Sequence, residues 1–230
     1  MIELYTAPTP NGWKISIMLE ECELPYQVRW VNIGKGAQFA PDFLAISPNN
    51  KIPAIVDTAP TDGGVPVSVF ETGAILLYLA EKTGRFLPAD MRERKVALEW
   101  LFWQVGGLGP MLGQHGHFKL YAPDRITYAT ERYRKETLRL YGVLDRRLAE
   151  TRYIAGGEYG IADMASFPWI QTYKAQEIDL DRFAHLKRWY DELKERPGLR
   201  RGMEVGRKMI NRRPQDDAET RRTLFGIEEQ

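Results

Sequence analysis

The sequence predicts an α/β domain followed by an all-helical domain. Residues 1–87 alternate in the order β-α-β and then β-β-α, which is typical of a small mixed sheet with helices on its faces. After Pro88 the hydrophobic pattern is helical, and no convincing strand pattern follows. We therefore expect domains at residues 1–87 and 91–205, with a charged, solvated extension at 206–230.

The first half of the sheet domain begins with an apolar strand at residues 2–7 and a turn at 8–12. A helix follows, because Ile15, Met18, Leu19 and Cys22 recur at the spacing of one buried helical stripe. A second strand is predicted at 26–33 and a short helix at 41–46. Cys22 lies on the apolar stripe, which favours a role in core packing.

The second half starts with the apolar run at residues 54–57, which follows Pro53. Another strand is predicted at 65–70, and a helix at 74–82 ends before Gly84. Tyr5 lies inside the first strand, so we interpret it as a packing residue.

Four helical segments are predicted beyond the sheet domain. They cover residues 91–105, with a break or kink at the Gly-rich run 106–110, then 126–150 and 161–175. Leu186 and Trp189 belong to the fourth, which we expect to be the last helix and to end at Pro197-Gly198. Gly160 precedes the third helix, where a serine cap is predicted to raise the melting temperature slightly.

Composition excludes several classes of function. The 230 residues carry a net charge of +1, which gives no electrostatic footprint for nucleic acid or a membrane surface. A single cysteine, no signal-like N-terminus and no membrane-length apolar run predict a cytoplasmic protein. His115 and His117 lack a third ligand at a suitable spacing, so we expect no metal site and place them in a loop or at a cleft mouth.

Pro53 stands where a turn-rich segment enters an apolar strand. An ordinary trans proline at a strand start is the commoner arrangement. A cis Ile52-Pro53 bond would instead turn the backbone N–H and C=O of Ile52 outward, where an extended peptide could pair with them.

Two loops offer polar groups beside a helix N-terminus. Glu71 and Thr72 precede a helix, whose free N–H groups hold a carboxylate readily, although capping is the commoner use of such residues. The Thr9 hydroxyl and the Asn11 amide precede another helix, and both could donate to a thiolate or simply form a turn and a cap.

Three motifs together resemble the glutathione transferase superfamily. They are TPNG at residues 9–12, NKIPA at 50–54 and ETGAI at 71–75. With the segments at 34–39 and 100–110, the match is similar to the bacterial Nu class of glutathione-dependent disulfide-bond oxidoreductases and covers about residues 1–200. It implies a thioredoxin-like N-terminal domain, a helical C-terminal domain and a homodimer.

The resemblance implies which residues form the site. Thr9 and Asn11 would be catalytic, because they would stabilise the thiolate of glutathione. Arg132 would come from the other subunit of the dimer. The tripeptide would be bound by a set of residues around a cis Pro53, namely Asn11, Gln38, Lys51, Ile52, Pro53, Glu71, Thr72 and Arg132. The cleft beyond it would be rimmed by Trp103, Gly107, Gly109 and Phe118.

The function predicted from this resemblance is reduction of a small disulfide by the thiol of bound glutathione. No cysteine stands in the loop at residues 9–12, so the reacting sulfur would belong to the ligand. Conjugation of an electrophile, peroxidase activity and a non-catalytic binding module remain as alternatives.

Overall fold

The N-terminal domain is built on one mixed four-stranded sheet. The structure is a computed structural model, which describes residues 1–209 and 217–226. The strand order is β2-β1-β3-β4, with β1 parallel to β2 and antiparallel to β3, and β3 antiparallel to β4. The strands are β1 Ile2–Thr6, β2 Tyr26–Trp30, β3 Ala54–Asp57 and β4 Val67–Phe70. This arrangement confirms the predicted sheet domain.

Three helices belong to the sheet domain: α1 Pro10–Glu21, α2 Pro41–Ile46 and α3 Thr72–Thr83. Helix α1 begins with proline at its first position, where the missing N–H costs nothing. Helix α3 ends at Gly84, whose φ of 65° is the left-handed conformation that glycine adopts freely.

The helical domain contains the remaining long helices that the structure describes. They are α4 Met91–Trp103, α5 Gly109–Gly116, α6 Thr127–Glu150, α7 Ile161–Ile170, α8 Ala184–Leu193, α9 Pro197–Glu204 and α10 Ala218–Phe225. The two domains share one core, because α1 packs against α3 on one side and against α7 and α9 on the other. Ile15, Ile17, Met18 and Leu19 are consequently all fully buried, and Cys22 lies in the same core as predicted.

The segment at 106–110 does not break its helix, so of the predicted break or kink the break is absent. Residues Gln104–Leu108 form a π-helical turn that joins α4 to α5 without a gap, and His117–Tyr121 form a second one. His115 and His117 therefore lie in helical structure and not in a loop, and His115 is fully buried.

Pro197 begins a helix instead of ending the last one, which corrects the prediction. It occupies the first turn of α9, the place where a proline fits a helix best. Of the expected solvated tail, residues 207–209 are exposed, whereas the next described segment packs on the protein. Helix α10 packs against the loop after β2, where Thr220 is buried and Lys35 forms an ion pair with Glu219. Residues 210–216 and 227–230 of the predicted extension lie outside the described residues.

The expected stabilisation by Gly160→Ser is reversed by the packing at this helix start. A Cβ on Gly160 would lie 2.8 Å from the carbonyl oxygen of Phe86, which is closer than real side chains approach. The Gly160 N–H donates to Asp163 Oδ2 at 3.0 Å, so the carboxylate half of the predicted cap is present. Serine at this position is expected to destabilise the helix start.

Candidate functional site

A cavity of about 460 Å³ lies between the two domains at the start of α1. The sheet domain contributes Asn11 and Lys14 from α1, residues of the loop before β3, and Glu71 and Thr72 at the start of α3. The helical domain contributes Val105, residues around Gly109 in α5, and Trp169 of α7. We call this space the polar cavity.

The loop before β3 forms one wall. Its Ile52-Pro53 peptide bond is cis, which confirms the prediction. Lys51, Ile52 and Pro53 all line the polar cavity, and the Ser47 hydroxyl holds the turn by donating to the Lys51 carbonyl at 2.8 Å. Within the described residues, neither the N–H nor the C=O of Ile52 has a hydrogen-bond partner, so both can serve a ligand.

The start of α3 forms the opposite wall. Glu71 precedes the helix with φ 70° and ψ 123°, a conformation that costs a non-glycine residue on the order of 1–3 kcal/mol. Its exposed carboxylate accepts from Asn49 Nδ2 at 3.4 Å and does not cap its own helix. Thr72 is buried beside it. The strained backbone therefore presents the Glu71 side chain toward the cavity.

Asn11 is held by a residue of the helical domain. The indole Nε1 of Trp169 donates to Asn11 Oδ1 at 3.0 Å. An indole N–H can only donate, so this bond fixes the orientation of the amide. The Nδ2 group of Asn11 is consequently the free end, a donor at the N-terminus of α1 beside the polar cavity.

Thr9 occupies a different place. It caps α1, since its Oγ1 accepts from the Gly12 N–H at 3.2 Å, which leaves the hydroxyl proton available. Thr9 is found among the residues that line a second space of about 570 Å³, the apolar cavity, with Trp30, Tyr121 and Phe225. The structure thus separates the two predicted catalytic residues to opposite sides of the α1 start.

Two other predicted site residues lie apart from the polar cavity. Gln38 is buried in the short 3-10 turn Ala37–Phe39, where its Oε1 has no partner among the described residues. Arg132 is exposed on α6. Of the expected rim, Gly109 lines the polar cavity, whereas Trp103, Gly107 and Phe118 are not among its lining residues.

The chain is similar to glutathione transferases in both domains. The glutathione S-transferase N-terminal domain family matches residues 9–82, and the C-terminal domain family matches residues 115–197. The chain belongs to the glutathione transferase family. The resemblance predicted from the three motifs is thereby confirmed, as are the thioredoxin-like sheet domain and the helical domain of this transferase.

Three relatives indicate where in the family the chain stands. The disulfide-bond oxidoreductase YfcG of Escherichia coli (strain K12) is 58% identical over 197 residues, covering 86% of this chain and 92% of its own. A family member from Pseudomonas fluorescens with two glutathione bound has a TM-score of 0.84 at 45% identity, over 88% of this chain and 92% of that one. A glutathione transferase from Pseudomonas putida, with one glutathione disulfide bound per subunit, has a TM-score of 0.84 at 42% identity. The match covers 89% of this chain and 91% of that one.

Three residues of the polar cavity region were missed by sequence reasoning. Lys14 follows Asn11 by three positions, a spacing that places both side chains on one helix face. This spacing could have identified Lys14 as a residue of the site. Gln104, whose Oε1 accepts from Lys14 Nζ at 2.7 Å, and Trp169 reach the site from the helical domain. No local signal in the sequence indicates such long-range contacts.

The predicted packing residues are confirmed. The ring of Tyr5 lies tilted against that of Phe43, and the Tyr5 hydroxyl donates to Glu3 Oε2 at 3.1 Å. Burial raises the pKa of the Cys22 thiol, so this cysteine is a poor nucleophile. Residues 1–209 and 217–226 contain no cluster of three or more His, Cys, Asp or Glu side chains that could hold a metal, and no helix long and apolar enough to cross a membrane.

Proposed function

We propose that this transferase reduces small disulfides with the thiol of bound glutathione. The observation that carries the proposal is the Asn11 amide, which Trp169 orients so that a donor faces the polar cavity at the N-terminus of α1. A helix N-terminus and a fixed amide donor both favour the thiolate over the thiol, and they lower a thiol pKa below its free value of about 8.5.

The surrounding residues suit a γ-glutamyl tripeptide. The Glu71 carboxylate can accept hydrogen bonds from the ammonium of the ligand. Thr72 and the free N–H groups at the start of α3 can donate to the ligand's carboxylate. The backbone of Ile52 can pair with the cysteinyl part, as an added strand would. The relatives from Pseudomonas, whose structures hold glutathione or glutathione disulfide, support this assignment.

The reaction proceeds by two thiol–disulfide exchanges. The thiolate of bound glutathione attacks one sulfur of the substrate disulfide, forming a mixed disulfide and releasing one substrate thiolate, which takes up a proton. A second glutathione thiolate then attacks the glutathione sulfur of the mixed disulfide. The products are oxidised glutathione and the second substrate thiol, so two electrons pass from two glutathione molecules to one disulfide.

We place Lys51 and Gln38 near the glycyl end of glutathione, and we assign to Thr9, on the other side of the α1 start, a weaker second donor, its hydroxyl. We also propose a homodimer in the cytoplasm, in which Arg132 from one subunit reaches the site of the other. Arg132 is exposed and is not among the residues that line the polar cavity of its own subunit, which supports a role across an interface.

The test compares two reactions of the purified protein. Reduction of a small hydroxyalkyl disulfide is followed by coupling oxidised glutathione to glutathione reductase, and conjugation is followed with an aryl halide. We expect disulfide reduction to be the faster reaction. Fast conjugation with undetectable disulfide reduction would instead identify a conjugating transferase, and glutathione binding without either reaction would identify a binding module.

A further inference from the structure

Lys14 is a buried ammonium group at the edge of the polar cavity. Its side chain is 2% exposed, although it belongs to the residues that line this cavity. Its Nζ donates to Gln104 Oε1 at 2.7 Å and to Thr72 Oγ1 at 3.3 Å. An ammonium has three N–H donors, and among the described residues these two bonds are the ones that Nζ makes. One donor is left for a ligand.

No carboxylate neutralises this ammonium within the described residues, since none lies within 4.0 Å of Nζ. The partly buried Lys82 shows the usual arrangement, because its Nζ lies 2.8 Å from the carboxylate of Asp57. A buried charge without an opposite charge costs several kcal/mol. Accordingly, burial lowers the pKa of Lys14 to about 7, and the negative charge of Glu71 opposes this shift.

Among the described groups around Lys14, the carboxylate that acts on its charge is that of Glu71, and it does so without an ion-pair contact. Glu71, which directly precedes α3, is exposed, and the π turn contributes the neutral Gln104. Helix α7 contributes the neutral Trp169, and the loop before β3 adds a second cation, Lys51.

Helix α9 packs on another side of α1. There the Ser16 hydroxyl donates to the Gly202 carbonyl, and the charged side chains pair with one another, Arg201 with Glu20. Arg196 and Glu21 make a further pair on this side. None of these pairs places a carboxylate beside Lys14 Nζ.

The two bonds of Lys14 also position polar groups of the site. Because Nζ donates to Thr72 Oγ1, the hydroxyl proton of Thr72 is free to donate to another acceptor. Because Gln104 accepts with Oε1, its Nε2 faces away from Lys14, and this atom is buried without a partner in the described chain. The Lys14 ammonium thus orients one residue of each domain.

We propose that Lys14 is the buried counter-charge of an anionic ligand in the polar cavity, and that it takes up a proton when such a ligand binds. The inference rests on the proposed function for the identity of the ligand, a peptide with free carboxylates such as glutathione. Lys14 acts on the ligand through its charge and its remaining donor, and it also positions Thr72 and Gln104. It makes binding depend on pH near neutrality, where ordinary lysines do not titrate.

The experiment measures proton uptake on binding of S-methylglutathione, which has no thiol to ionise. Calorimetric titrations at pH 7.5 in phosphate and in Tris, two buffers of different ionisation enthalpy, give the number of protons exchanged. We expect the wild-type protein to take up about half a proton or more per ligand at pH 7.5, and close to none at pH 5.5, where Lys14 already carries its proton.

Two variants assign the proton to Lys14. Lys14→Met should bind more weakly with no uptake at either pH, and Lys14→Arg should show no uptake because a guanidinium keeps its proton. Circular dichroism and thermal unfolding confirm that both variants are folded. Lys51→Met, which removes the other lysine of the cavity, should weaken binding but keep the proton uptake per bound ligand.

The outcomes separate this inference from the proposed function. Binding by the wild-type protein without proton uptake, or uptake that persists in Lys14→Met, overturns the role of Lys14 and leaves the function standing. Absence of S-methylglutathione binding by the wild-type protein overturns the proposed function, and the role of Lys14 falls with it.

Discussion

The polar and apolar cavities lie on opposite sides of the same short segment and differ in chemistry. Asn11 and Lys14 line the polar cavity, whereas Thr9 and Pro10 line the apolar one together with aromatic side chains. Successive residues of a helix point about 100° apart, so one helix start can serve two spaces at once. The charged and amide side chains and the aromatic side chains near this helix start therefore line separate spaces.

The covering of the two cavities differs as well. The polar cavity is closed by α5 and α7, which belong to the core of the helical domain. The apolar cavity is closed by α10, in which Phe225 stacks on Tyr121 with ring centroids 5.0 Å apart. The second space therefore depends on a short terminal helix, and its shape should be easier to change.

Asn11→Ala should have the largest effect on the activity of the polar cavity. It removes the oriented donor, and we expect kcat/KM for disulfide reduction to fall by about 100- to 1000-fold, the loss that follows removal of one preorganised donor to a developing anion. Asn32→Ala is the matched control in the apolar cavity and should change the rate by no more than about twofold. Equal losses in the two variants would contradict the division of roles.

Glu71→Ala should weaken glutathione binding about 10- to 100-fold, the range for a hydrogen bond to a charged group, as measured by calorimetry. Glu71→Gly should lose as much affinity but be about 1 kcal/mol more stable than the alanine variant, because glycine adopts a φ of 70° without strain. If the alanine variant binds normally, Glu71 does not belong to the site.

Lys14→Met tests the cost of the buried charge through the pH dependence of stability. The folded-state pKa of about 7 lies below the usual 10.5, so between these values the unfolded chain binds more protons than the folded one. Wild-type stability should therefore rise with pH, relative to the variant, with a slope that approaches about 1.4 kcal/mol per unit between pH 8 and 9, and the difference should be constant below about pH 6. Urea unfolding of both proteins measures it, and parallel curves would refute the buried charge.

Phe225→Ala should affect the apolar cavity alone. Loss of its ring contacts weakens the docking of α10, so cleavage of this helix by trypsin should accelerate about fivefold, while glutathione affinity stays unchanged. The exposed Phe102 gives the control, since Phe102→Ala should leave the cleavage rate alone. A parallel loss of glutathione affinity would mean that the two cavities are coupled.

Thr9→Ala should have the smallest effect. It removes the cap of α1 and costs about 1 kcal/mol of stability, visible as a melting temperature lowered by about 2–4 °C. Its loss of activity should be smaller than that of Asn11→Ala, and Thr9→Ser should keep both stability and rate. If Thr9→Ala is the slower variant, the catalytic donor faces the apolar side.

Sequence reasoning reached the sheet and the domain order, because turn residues and hydrophobic periods are local signals. The cis bond before Pro53 was implied by the family resemblance, since the local sequence alone favours a trans bond. It misjudged Pro197 and the glycines after Trp103, since a proline can start a helix and a π turn accommodates glycine without a break. The partner of Asn11 could not be predicted either, because 158 positions separate it from Trp169 and the pair meets only through tertiary packing.

The π turn at Gln104–Leu108 determines how α5, the helix that follows it, is rotated about its own axis. A π turn holds one residue more than an α-helical turn, so removing a single residue there would rotate the next helix by about 100°. Gly109, where a Cβ would lie 2.9 Å from Gln104 Nε2 and 3.2 Å from Trp169 Nε1, would then face elsewhere. The number of residues in this turn, more than their identity, keeps the two halves of the cleft in register.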